Sequence, residues 1–223
     1  MNFLSHYYFE ENLASEYELC GIMVPDLWRG FAKEHNRKIK PFYHSHAPIG
    51  PFELEIENGI KKHYAADDTF HNSRVFKRYT SFLEEEIRSE SKTLPHRLFF
   101  LGHILFELLL DRYLTLKNPN LIDNYFSMLH KVNENALVNY FTHRNMENGL
   151  ADFLFKFRHL KKNEYIRQLA KPENLAIALN RICQMSTKEL LLPDFVKYIE
   201  QNADKWNQKI ACESPEIFIQ IKQ

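Results

Sequence analysis

The stretch "LPHRLFFLGHILFELLLDRYL", residues 94–114, is apolar on every side rather than along one stripe. A helix of that kind has to be buried all round. Yet His103, Glu107 and Asp111 recur in it at intervals of four, so they share one helix face. Elsewhere the apolar spacing is also helical. Residues 2–9 predict a short aromatic-rich helix, and Pro25 in "GIMVPDLWRGF" suits the first turn of a second, running toward Lys40. "KPFYHSHAPIGPFE" (40–53), with three prolines and a glycine, reads as a loop.

A third helix is expected from Leu54 to Glu90, broken near Asp67 to Asn72, and a fourth opens at Pro95 and ends near Leu116. Beyond it Leu121, Tyr125, Met128, Leu129 and Val132 make one stripe, and "GLADFLFKFRHL" and "NLAIALNRICQM" continue the helical pattern. Pro193 should kink or divide the last helical segment. No repeat and no hairpin signal interrupts this pattern. The expectation is an all-α, single compact multi-helix domain over residues 1–223, with about seven to nine helices. The motif-bearing half is 1–115, and residues 120–223 complete the helical core.

Composition supports helices on helices: six glycines and nine prolines stand against 18 Phe and 11 Tyr. The formal net charge is zero, which gives no global basic field for nucleic acid. Cys20, Cys183 and Cys212 are odd in number and form no C-x-x-C pair, as expected of reduced thiols in the cytoplasm. The opening "MNFLSHYYFEENL" has no basic n-region, and the apolar run around Leu98 to Leu110 is too interrupted to span a bilayer. A cytoplasmic protein without membrane contact is expected.

A second row changes the meaning of the first. "GIKKHYAADDTFHNS" places His63, Asp67 and His71 at the same i, i+4, i+8 spacing as His103, Glu107 and Asp111. Two helices that each present imidazole and carboxylate on one face can converge on a metal ion. A mixed imidazole and carboxylate set suits manganese, iron or zinc. The competing reading is structural: His103 as a satisfied core histidine, and Glu107 and Asp111 paired with Arg97, Arg112 or another basic side chain.

The opening "MNFLSH", then "CGIMVPDLWRG", then "IENGIKKHYAADDTFHNSR", then the His-x-x-x-Glu helix follow in that order. In these motifs the chain resembles the acyl carrier protein phosphodiesterases, relatives of the HD-domain metal phosphohydrolases. His6, Asp26, Arg29, Gly30, Gly59, His63 and Asp67 stand on the family's motifs, and the resemblance covers roughly residues 1–115. His71 lies where the family has an acidic or imidazole side chain. His103 and Glu107 lie where it more often has two aspartates four apart, which keeps ligand chemistry but changes charge.

The resemblance implies an HD-domain-like helical fold and a divalent metal, manganese first, held among His6, His63, Asp67, His71, His103 and Glu107. It implies hydrolysis of holo acyl carrier protein to the apo protein and 4′-phosphopantetheine. Asp67 or Asp26 would position or deprotonate the attacking water, and Arg29 would offset charge on the phosphate. The carrier protein is acidic, so Arg29, Lys33, Arg37 and Lys38, with Lys61 and Lys62 beside His63, are the expected docking cations. Two other outcomes stay open: a non-catalytic helical binding protein of the same fold, and a phosphohydrolase for another phosphoester.

Overall fold

The computed structural model describes residues 1–10, 13–35, 50–90, 98–187 and 190–222; within these, the side chains of 29–35, 90, 186–187 and 220–222 lie outside the description. The described chain is all-α, without strands, as expected. In chain order the helices are α1 (Phe3–Phe9), α2 (Glu16–His35), α3 (Pro51–Asn72), α4 (Arg74–Glu90), α5 (Leu98–Lys117) and α6 (Pro119–Lys131). They continue with α7 (Glu134–His143), α8 (Leu150–Asn163), α9 (Tyr165–Gln168), α10 (Pro172–Thr187) and α11 (Pro193–Lys222). Among the described residues there are thus eleven α-helices, more than the seven to nine expected; α9 is a single short turn, and the break expected near Asp67 to Asn72 falls at Ser73.

Contacts divide the chain into two compact units, each assembled from separate segments. The first comprises Met1–Ser5, Asp67–Leu121 and Tyr165–Gln223, and the second comprises His6–Ala66 and Ile122–Glu164.

In the first unit α5 packs against α4, α9, α10 and α11. Its buried positions include Leu101, Leu105, Phe106, Leu109 and Leu110, so the all-round apolar pattern is explained by neighbours on several sides. Gly102 allows α4 to close on α5: a Cβ there would lie 2.9 Å from the Thr80 carbonyl oxygen. Phe106 stacks on Tyr79 (centroids 4.8 Å apart) and on Phe70 (5.7 Å). Arg112 does not pair with the acidic row of its own helix. It donates to Asp204 Oδ1 at 2.6 Å, to the Ala170 carbonyl at 3.0 Å and to Asn207, tying α5 to α11 and to the turn before α10.

Pro193 opens α11 and so divides the last segment, as the sequence predicts. Pro215 sits inside α11 and removes the amide that would bond the Ala211 carbonyl. The Ser214 hydroxyl donates to that carbonyl at 3.0 Å instead, which lets the helix continue.

In the second unit α2 begins nine residues before Pro25 instead of at it. The start is set by Ser15, whose hydroxyl accepts from the Tyr17 and Glu18 amides at 3.2 and 3.3 Å. Glu18 reaches back to the Ala14 amide at 2.5 Å, one residue before the cap, so its carboxylate fastens the chain that enters the helix. A proline inside a helix costs about 3 kcal/mol. Burial of Leu19, Ile22, Met23, Val24 and Trp28 along the same helix outweighs it, at roughly 1.5–3 kcal/mol each.

Helices α2 and α3 meet at glycines: a Cβ on Gly59 would lie 2.1 Å from the Glu18 carbonyl oxygen, and one on Gly21 2.1 Å from that of Ile56. Buried Glu57 then accepts from the Tyr140 hydroxyl at 2.7 Å and from Arg144, fastening α3 to α7 and its C-cap. Trp28 stacks on Phe141 with centroids 4.8 Å apart.

Candidate metal centre

The end of α3 and the first half of α5 bring four of the expected residues together in the first unit. Ser73 stops α3: its hydroxyl donates to the Phe70 carbonyl at 2.7 Å and accepts from the Phe76 amide at 3.0 Å. The chain turns there into α4, and His71 is left in the last turn of α3.

On α5, His103 and Glu107 are one turn apart, and His103 Nε2 donates to Glu107 Oε1 at 2.9 Å. His71 Nε2 meets the same oxygen at 3.2 Å. The ligand atoms of His71, His103 and Glu107 lie within 4.8 Å of one another. Asp67, one turn before His71, accepts from the Met1 ammonium at 2.6 Å, and that ammonium stands 3.0 Å from Glu107 Oε1. Phe76, itself buried, closes the inner side with its ring 4.8 Å from that of His71 and 4.9 Å from that of His103. The two imidazoles stay 31% and 22% exposed, so the group opens to solvent on their side.

Burial by itself would raise the pKa of Glu107. The Met1 ammonium and the hydrogen bonds from His103 and His71 prevail, and they hold its carboxyl well below the usual carboxylate range. The anionic form is therefore the resting form, as a cation ligand requires.

Asp111, one turn further along α5, serves a different purpose. It accepts from the Leu4 and Ser5 amides at 3.2 and 2.8 Å and from the Ser5 hydroxyl, so it caps the first turn of α1. Burial pushes its carboxyl up to about 6 against those three hydrogen bonds.

The donor set fits a divalent ion. Two imidazole nitrogens and one carboxylate oxygen from two helices suit manganese, iron or zinc. For an Nε2 to become a ligand it must give up its hydrogen bond to Glu107, so an ion would replace the contacts that now hold His71 and His103 against that carboxylate.

The remaining expected residues are placed as follows. His6 and His63 belong to the second unit, are buried there, and stack with ring centroids 4.3 Å apart. Asp26 is half-buried in α2. Arg29 and Lys33 belong to α2 by backbone, with side chains outside the described residues; Arg37 and Lys38 lie outside the described residues altogether, as does Arg97. Lys61 is exposed, whereas Lys62 stands 3.3 Å from Glu18 and 3.5 Å from Glu10, so part of its charge is balanced within the fold.

Two contributors escaped the sequence reading: Phe76, which floors the imidazoles, and the Met1 ammonium. Phe76 lies five residues past His71 on the next helix, and no spacing rule joins them across Ser73. Comparison with family models, with curated proteins and with solved structures returns no match.

Proposed function

We propose that the chain is a metal-dependent phosphodiester hydrolase of the kind its motifs resemble, with holo acyl carrier protein as substrate. The observation that carries this reading is the His71–His103–Glu107 group, three ligand atoms within 4.8 Å of one another beside a further carboxylate. An ion held there supplies Lewis acidity, lowering the pKa of bound water and polarising a phosphoryl oxygen. The donors favour manganese, iron or zinc alike.

Asp67, beside the group, would orient the attacking water and take its proton, and Asp26 is the alternative carboxylate from the motif resemblance. Asp26, Arg29, His6 and His63, which the resemblance also marks, all belong to the second unit. The partial exposure of His71 and His103 supports the approach of a phosphate from solvent. Docking of the acidic carrier protein would fall to the basic run Arg29, Lys33, Arg37 and Lys38, with exposed Lys61. Lys62, already shared between Glu10 and Glu18, would contribute less than its neighbour.

A second reading, a helical binding protein without hydrolysis, is favoured by one feature: Glu107 is already satisfied by His71 and His103 without an ion. One experiment divides the two. Holo carrier protein is incubated with the protein and manganese, and intact mass is followed. Loss of the 4′-phosphopantetheine mass, abolished by chelator and by Glu107→Gln, supports hydrolysis. An unchanged carrier-protein mass with manganese bound refutes it.

A further inference from the structure

We infer that Phe99 is a substrate-contacting specificity residue of the metal centre, selecting phosphoesters whose alcohol carries an apolar or aromatic group close to the ester oxygen. This inference rests on the phosphodiesterase reading and adds to it the identity of the alcohol side.

The argument starts from position. Phe99 lies in the first turn of α5, one turn before His103, so the two side chains share a helix face. Its ring meets the His103 ring edge-on, with centroids 6.1 Å apart and an interplanar angle of 87°. Phe76 covers the same imidazole from within and is buried, whereas Phe99 is 61% exposed.

Single exposed apolar side chains are ordinary and need no explanation. Phe99 differs from the others in this unit, among the described residues: it packs edge-on against a candidate ligand imidazole that is itself partly exposed. A phosphate that reaches the His71–His103–Glu107 group from solvent brings its ester substituent past that ring. An aromatic face exposed to water gains by covering such a substituent and gives nothing to a bare phosphate. The 4′-phosphopantetheine ester meets the requirement, because the carbon beside its ester carbon carries two methyl groups.

The test uses manganese-loaded protein and two probes of equal charge, phenylphosphonate and methylphosphonate, with affinities read by calorimetry. Wild type should bind phenylphosphonate about 3- to 10-fold more tightly than methylphosphonate. Phe99→Ala should erase that preference while the affinities for methylphosphonate and for manganese stay unchanged, and Phe99→Trp should keep it. A preference that survives Phe99→Ala overturns the inference. So does an equal loss for both probes, which would make Phe99 a support for His103 only. Failure of manganese-loaded wild type to bind either probe would instead bring down the phosphoester reading itself.

Discussion

Asp111→Asn separates charge from hydrogen bonding at the start of α1. The carboxyl of Asp111 is fully buried and titrates near 6, against an ordinary value of 3.8. A carboxyl raised in the folded state adds most to stability when protonated; that contribution is whole below about 3.8 and is lost as pH rises through about 6. The interval, at about 1.36 kcal/mol per pH unit, amounts to roughly 3 kcal/mol, of which about 2–3 kcal/mol is lost between pH 4 and 7.

The asparagine cannot ionise and so lacks this term. It keeps one oxygen acceptor for three donors, the Leu4 and Ser5 amides and the Ser5 hydroxyl, and pays roughly 1–3 kcal/mol at every pH. The variant should therefore melt below wild type at pH 4 and draw level with it or pass it by pH 7. For a chain of this size about 2–4 °C accompanies each kcal/mol, so the gap in Tm should change by roughly 5–12 °C across that range. Melting curves by circular dichroism at half-unit pH steps measure it. Parallel curves for the two proteins would show that Asp111 keeps an ordinary pKa and refute the reasoning.

Three further outcomes follow from the packing and from the docking proposal. Glu57→Gln leaves Arg144 buried without its ionised partner, and should cost roughly 3–5 kcal/mol in denaturant unfolding. Gly59→Ala places a Cβ where the Glu18 carbonyl oxygen now stands, so α2 and α3 must separate; a loss of at least about 1–3 kcal/mol is expected, and a neutral result would contradict the glycine crossing. Reversal of Lys33, Arg37 and Lys38 to Glu should weaken carrier-protein binding at low salt. The effect should fade as the Debye length shortens from about 10 Å at 0.1 M to about 3 Å at 1 M, with small-diester hydrolysis unaffected.

The helical class and the burial of α5 were legible because apolar periodicity reports directly on which faces are covered. A break between α3 and α4 was legible near Asp67 to Asn72, but α3 runs through that polar stretch and stops at Ser73, whose hydroxyl bonds across the turn. The start of α2 was misplaced because proline was weighed above the capping pair Ser15 and Glu18; the "SEYE" signal was present in the sequence. At the candidate site, spacing picked out His63, Asp67 and His71 on one row and His103, Glu107 and Asp111 on the other, but it could not separate His71, His103 and Glu107 from the rest, for all of these residues obey one period. The separation comes from what each turn of α5 faces: α3 and Met1 at Glu107, the first turn of α1 at Asp111. Such tertiary neighbours leave no mark on the local pattern.

The central claim is that His71, His103 and Glu107 together hold a divalent ion, and calorimetric titration of the chelator-treated protein with manganese tests it most directly. Wild type should bind one ion, and His103→Ala and Glu107→Gln should each lose at least about tenfold in affinity while remaining folded. Equal manganese affinity in all three proteins, or no binding by wild type, would contradict it.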